Sequence, residues 1–279
     1  MDSTKTDVRV GFDFPIDHPR AQFLQAAVSN RDQSPPAVMN PSGVIYPGVE
    51  TISAVERGKL DFGWINFCHL ELLAPELRGL HAPFALKDKQ MKTSEQRRDY
   101  LNTVNSALAH SPFQIAAVMR GADQVFCFEN PLDLRESRFA DLRIRVAGAG
   151  MYEEVVSALG ATPAVASIVS AADLCTANGV DGAFTSPGAW SVLFRKHFRH
   201  VYLIENLMMI TYVLLMRKED LSTPWAQPVM QANHELVTEN WETMRRQDLE
   251  IIDTMCTQTD GSFTCIEATD AELERLNEI

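Results

Sequence analysis

Apolar and polar positions change period several times along the chain, and each change marks an element. VRVGF (Val8–Phe12) is a short apolar run of strand type. From Asp17 to Asn30 the apolar Phe23, Leu24, Ala27 and Val28 recur at helical spacing. SPPAVMNPSG, from Ser34, reads as a loop or a short extended piece. Gly48–Arg57 then predicts a helix, LDFGWIN (Leu60–Asn66) a strand, Ser94–His110 a helix and Phe113–Met119 a strand. The alternation continues to Gly188, which predicts an α/β class with largely parallel sheets.

Two longer patterns organise this alternation. AVERGKLDFGWIN (Ala54–Asn66) resembles LCTANGVDGAFTS (Leu174–Ser186): helix end, glycine, apolar residue, aspartate, strand. Gly58 and Gly179 fit the left-handed position after a helix, and Asp61 and Asp181 fall at strand starts as structural residues. Two such units about 120 residues apart suggest two related lobes. The second pattern is a helix over Pro224–Met255. Thr223 suits its N-cap and Pro224 its first position. Trp225, Val229, Leu236, Trp241, Met244, Ile252 and Met255 form its apolar stripe. Unbroken, it would run roughly 45–50 Å and serve as a strut along both lobes.

The chain has 279 residues, 46% hydrophobic and 22% charged, with a formal net charge of −12. That composition supports a sizeable core and offers no stretch long and apolar enough to span a bilayer. The acidic balance argues against nucleic acid as a partner, because phosphate binding relies on clustered Lys and Arg. MDSTKTDVRV has no signal-peptide pattern, which fits a cytosolic chain or a mature form with an added start Met. Cys256 and Cys265 flank the turn signal TDGS and are either a small-loop disulfide, stabilising by roughly 2–3 kcal/mol, or two free thiols. No nucleophile–base pair, P-loop or HExxH occurs. His197 and His200 in KHFRH fit a solvated helix end better than a metal site, and His234 a surface position.

The chemistry concentrates in RIRVAGAGMYEEVVSALGATP (Arg143–Pro163). Gly148 and Gly150 suggest a dinucleotide turn, but Glu153 stands where the third glycine belongs, and Arg143 and Arg145 lie in the preceding strand. Arg145 is the more informative residue. It is penultimate in a strand whose carboxyl end opens on a helix N-terminus, a setting that favours anions. A guanidinium there holds a carboxylate with two parallel hydrogen bonds. The alternative is a surface arginine paired with a nearby Asp or Glu.

The stretch from Asp141 to Gly182 resembles the second lobe of DctP-type solute-binding proteins of tripartite ATP-independent periplasmic (TRAP) transporters, whose pattern is approximately "DLKGLKIRVPG…YEA…ALGANPV…SEVYTALQTGVVDG". GVETISAVERGKLDF, LHAPFAL, LMRKEDLSTPWAQ and GSFTCIEATDAELERLNE fit further family segments in order. The resemblance implies a two-lobed α/β periplasmic binding fold, with a ligand cleft between lobes and a long helix spanning both. Lobe I would take 1–121 and 210–250, with the connecting helix at about 224–255. Lobe II would take 122–209 and 251–279. The implied function is capture of an organic acid in the periplasm, by a monomer, and delivery to membrane permease subunits. The protein would have neither catalysis nor cofactor, no stable membrane insertion, a signal peptide already removed and a final helix trimmed. The family's carboxylate-binding arginine falls on Arg145.

Departures from the family pattern bear on the ligand. Asp123 stands near the place of a common second arginine. Cleft positions fall near Asp13 and Asn66, and the asparagine of the family's "DGQENP" is replaced near Thr185 or Ser186. Asp13 and Asp123 either touch the ligand or serve as turn and capping residues. One arginine with two aspartates suits a monocarboxylate, a zwitterion, or a hydroxy or sugar acid better than a dicarboxylate. Trp64, Phe67, Phe184 and Trp190 either stack on the ligand or belong to lobe cores. Phe184 replaces the glutamate that binds metal in some relatives, so no metal is expected. The competing readings are an α/β oxidoreductase using the Gly-rich turn and a binding protein serving a sensor or chemoreceptor.

Overall fold

A computed structural model describes the chain apart from residues 1–6, 13, 30–36, 42–45, 47–48, 136, 149, 178 and 240. It divides into two compact units. Unit 1 comprises Met1–Leu77, Asp88–Arg120 and Thr211–Trp241; unit 2 comprises Arg78–Lys87, Gly121–Ile210 and Glu242–Ile279. Arg78–Lys87, expected in the first lobe, therefore groups with the second unit, and the helical boundary falls at Trp241 rather than at 250.

Unit 1 is built on a five-stranded sheet in the order β2-β1-β3-β10-β4. Its strands are β1 (Val8–Phe12), β2 (Ala37–Pro41), β3 (Phe62–Asn66), β4 (Phe113–Asp123) and β10 (Met209–Arg217). Its helices are α1 (Pro19–Ser29), α2 (Glu50–Glu56), α3 (Ser94–Ala107) and α7 (Ala226–Glu239). Thr93 and Gln96 start α3 with a reciprocal capping box, at 3.1 and 3.0 Å.

Unit 2 carries a six-stranded sheet, β11-β9-β5-β8-β6-β7. These strands are β5 (Val125–Phe128), β6 (Arg143–Val146), β7 (Thr162–Val165), β8 (Gly182–Thr185), β9 (His200–Ile204) and β11 (Ser262–Ile266). Its helices are α4 (Met151–Ala158), α5 (Ile168–Thr176), α6 (Pro187–Ala189), α8 (Trp241–Gln258) and α9 (Asp270–Leu276). One core cluster packs Trp190, Phe194 and Phe198 against Cys127, Ala183, Val201 and Ile252. Among the described residues no helix is long and apolar enough to cross a membrane.

Both sheets are mixed rather than largely parallel. β10 runs antiparallel to β3, and β5 antiparallel to both β8 and β9. The piece read as loop or extended becomes β2, parallel to β1. β10 escaped the alternation pattern because all but its last residue are buried, leaving an apolar run without a period-two signal.

The internal echo has a common physical cause. The Asp61 backbone N–H donates to the Arg9 carbonyl at 2.9 Å, while the Asp61 carboxylate accepts from the Arg9 backbone N–H at 2.8 Å. Asp181 repeats this with Arg143, at 2.8 and 2.7 Å. Each aspartate thus locks the start of its strand to a parallel neighbour. The glycines differ. Gly58 takes φ +66°, whereas Gly179 lies outside the left-handed region. A Cβ on Gly179 would come within 2.9 Å of Leu174 Cδ1, so glycine there permits a close approach.

The helical stretch expected over 224–255 spans α7 and α8, with Asn240 outside the described residues. It passes from unit 1 to unit 2 at Trp241. Its start lies later than expected. The Thr223 hydroxyl donates back to the Asp220 carbonyl at 2.7 Å, and α7 begins at Ala226. Cys256 and Cys265 are both free thiols, one buried and one exposed. His200 opens β9 and bonds Ser262 Oγ at 2.9 Å, so it belongs to a strand pair rather than to a helix end.

His18 is buried at the start of α1, where its Nδ1 accepts from the Arg20 backbone N–H at 3.1 Å. Burial first, and then the Arg20 charge, pushes its pKa down to about 3 from 6.5. Between these values the unfolded chain binds a proton that the folded chain excludes. The stability contribution is therefore complete above pH 6.5 and falls as the pH drops towards 3, by at most about 1.4 kcal/mol per pH unit. Thermal unfolding followed from pH 7 to pH 4 should show a shallower acid decline for His18→Asn than for the native chain. Parallel declines would contradict this account.

Candidate functional site

The parallel strands β6, β7 and β8 end at one edge of the unit 2 sheet. β5 starts at that edge, because Val125 pairs with Thr185. The topology therefore gathers Arg145, Thr185 and Ser186 there, with Asp123 two residues upstream of Val125. Carboxyl ends of parallel strands are the usual ligand-facing edge of α/β sheets.

Arg145 is 2% exposed. Its register partners on either side are Ala164 and Ala183. These small neighbours leave width for a long side chain lying across the sheet face. The guanidinium is held in place from two directions. Nε and an Nη donate to the Ala166 carbonyl at 2.9 and 2.7 Å. The cation also lies 5.3 Å from the Phe194 ring centroid. Cys127 and Cys175 are close enough to feel this charge, yet burial pushes both thiols up, so they stay protonated beside it.

The glycine turn is built differently from the anion cradle that sequence suggested. Gly150 takes φ +73°, and the Glu153 carboxylate accepts from its backbone N–H at 3.1 Å. The helix thus caps its N-terminus with its own negative charge. A pyrophosphate would have to displace that carboxylate, and the helix end contributes less to a carboxylate site than expected. Glu154 pairs instead with Arg78.

The remaining candidates fall into three groups. Thr185 is buried at the end of β8, and Ser186 Oγ accepts from the Ala189 backbone N–H at 3.1 Å, starting α6. Phe184 and Trp190 lie in the core of unit 2. Phe184 stacks on Phe126 at 4.4 Å and meets Tyr152 edge-on at 6.2 Å. Trp190 Nε1 donates to the Phe198 carbonyl at 2.7 Å. Trp64, Asn66 and Phe67 belong to unit 1. Trp64 is fully buried between Phe12 and Leu214, and its Nε1 has no hydrogen-bond partner among the described residues. Asn66 lies opposite Tyr212, and its Oδ1 accepts from the Cys68 backbone N–H at 3.1 Å. β3 ends at Asn66, so strand alternation does not extend to Phe67, which packs on Tyr100 at 5.8 Å. Asp13 lies outside the described residues.

Sequence reasoning missed Ala166 and Phe194, the groups that orient Arg145. A carbonyl leaves no residue-type signal, and Phe194 comes near only through tertiary packing. The alanines flanking Arg145 were readable in principle, as small residues in neighbouring strands. A groove of about 750 Å³ lies at the other end of the same sheet, lined by Phe128, Asp133, Arg135, Asp141 and Asp181 among others. Its Arg138 is committed to the Glu272 carboxylate and the Glu267 carbonyl. Among the described residues no group of three or more His, Cys, Asp or Glu is placed to hold a metal ion.

The sequence model of DctP, bacterial extracellular solute-binding protein, family 7, matches residues 37–278. No curated protein matches the chain. Solved TRAP periplasmic solute-binding proteins superpose along nearly its whole length. One from Desulfovibrio salexigens, with bound orotic acid, has a TM-score of 0.83 at 16% identity, covering 97% of this chain and 89% of its own. One from a Fusobacterium, with bound sn-glycerol-3-phosphate, has a TM-score of 0.82 at 14% identity, with coverage of 98% and 90%. One from Xanthobacter autotrophicus Py2, with bound β-D-galacturonate, has a TM-score of 0.80 at 18% identity, with coverage of 97% and 94%. The fold is thus the two-lobed α/β fold of periplasmic binding proteins.

Its place inside the unit 2 core makes Phe184 a stability residue. Phe184→Ala should lower the unfolding free energy by about 3–5 kcal/mol. Thr185→Ala should cost much less. Chemical denaturation of both variants separates these outcomes, and a small loss for Phe184→Ala would move the ring from the core to the ligand.

Proposed function

The chain belongs to the DctP family of bacterial extracellular solute-binding proteins, and from that premise we propose that it captures a small organic carboxylate and hands it to TRAP permease subunits. The protein works outside the cytoplasmic membrane, as a monomer, and returns the solute chemically unchanged. One observation carries the reading: the buried, doubly anchored guanidinium of Arg145 at the ligand-facing edge of the unit 2 sheet. A planar fork fixed in orientation suits a planar carboxylate, and little side-chain entropy remains to be lost on binding. A cation this buried is reached only by a ligand that is itself buried, and charge pairing is strong where water is excluded.

Orotic acid and galacturonate each carry one carboxylate, and glycerol-3-phosphate is also an oxyanion. These ligands support an anionic solute here. Asp123, half-buried near the same edge, narrows the class. Its charge disfavours a second ligand carboxylate and favours hydroxyl, amine or quaternary groups. Monocarboxylates, zwitterions and hydroxy or sugar acids fit; dicarboxylates fit poorly. Thr185 and Ser186 supply hydroxyls along that edge.

The oxidoreductase alternative loses support from Glu153, which occupies the helix end that a nucleotide phosphate would need. A thermal-shift screen of organic acids, betaines, amino acids, sugar acids, glycerol phosphate and nucleotides tests the proposal. A ligand at about 100 times its dissociation constant should stabilise the protein by about 2.7 kcal/mol. Arg145→Ala should abolish the shift for every carboxylate. Arg145→Lys, which keeps the charge without the fork, should weaken binding at least about tenfold. Full carboxylate shifts in Arg145→Ala, or shifts with nucleotides alone, would reject the reading.

A further inference from the structure

The chain crosses between its two units five times, at 77/78, 87/88, 120/121, 210/211 and 241/242. Three residues on the unit 1 side of three crossings are Asp88, Arg120 and Trp241. They are far apart in sequence, yet they meet at one carboxylate. Arg120 donates to Asp88 through Nε at 2.8 Å and an Nη at 3.0 Å, a bidentate pair. Trp241 Nε1 donates to Asp88 Oδ1 at 3.2 Å. Arg120 is fully buried and Trp241 is 2% exposed.

Further contacts brace this junction. Arg20 Nε donates to the Arg120 carbonyl at 3.1 Å. The Arg97 guanidinium lies 5.6 Å from the Trp241 ring centroid, and its Nη1 donates to the Lys92 carbonyl at 3.0 Å. A fourth crossing approaches the third in unit 2. A Cβ built on Gly121 would lie 2.8 Å from the Ile210 carbonyl oxygen, so β4 and β10 run close together just where both change units.

We infer that Asp88 is the anchor of a hinge: one carboxylate makes the unit 1 ends of three crossings move as a single body. Chain connectivity requires any change in the relation of the units to be absorbed at the crossings. With the unit 1 side locked, the bending falls on the residues that follow, Gly121 and Glu242, and on Lys87 before Asp88. A bidentate pair with a buried guanidinium is directional, and breaking it leaves a charge buried in a poor setting. That makes Asp88 a positioning residue for conformational change, with no contact to ligand required.

The test needs no ligand and is therefore independent of the carboxylate reading. Native-state amide hydrogen exchange would be followed in the full chain, in Asp88→Asn and in Trp241→Phe. Asp88→Asn keeps the shape but removes the charge, and Trp241→Phe removes one hydrogen bond and keeps most of the packing. Exchange should speed up by about tenfold or more, together, in the segments around Asp88, Arg120 and Trp241. β6, β8 and β9 should remain unchanged. Coupled acceleration in Trp241→Phe should be smaller but should have the same pattern. If Asp88→Asn fails to fold, Trp241→Phe decides by the same criterion. Acceleration confined to the substituted segment, spread evenly over both units, or absent would overturn the shared anchor.

Discussion

Burying a guanidinium is expensive, and among the described residues this acidic chain does so at Arg20, Arg97, Arg120, Arg138 and Arg145. Each must recover the hydration it loses, and the way it does so shapes its surroundings. Arg120 and Arg138 take carboxylates, from Asp88 and Glu272. Arg20 and Arg97 donate to backbone carbonyls. Arg145 takes the Ala166 carbonyl and the Phe194 ring. Arg20, Arg120 and Arg138 thus join distant segments, whereas Arg145 is fixed near the carboxyl end of β6.

A second economy runs through the architecture. Asp61 and Asp181 make the same pair of hydrogen bonds to Arg9 and Arg143, one in each unit. In both places a carboxylate and its own backbone N–H fasten a strand start to a parallel neighbour. Strand register fixes which side chain reaches which face. In unit 2 this sets Arg145 between Ala164 and Ala183, so the clamp at one end of β6 determines the geometry two residues along.

The Gly-rich turn shows how a helix start can be redirected by one residue. Gly150 supplies the positive φ, and Glu153 turns back to its N–H. A nucleotide site leaves that donor to a phosphate. Here the protein supplies its own anion. The neighbouring residues divide in the same way. Ser186 starts a helix, Trp190 and Phe184 fill the core, and Thr185 and Asp123 stay near the edge with Arg145.

The sequence by itself determined the α/β class, the repeated glycine–aspartate unit and the family. Local patterns encode these: periodicity, turn chemistry, and an arginine one step before the end of a strand. It was silent on the strand β10, because a strand buried on both faces has no alternation to read. It also misassigned Gly179, since a glycine needed for close packing looks the same as one needed for a left-handed turn. Only the tertiary structure decided which aromatics were core and that Glu153 closes the helix end. It alone showed that Asp88, Arg120 and Trp241 share one carboxylate. Those outcomes depend on contacts between residues far apart in the chain, and no local pattern records which distant group will arrive.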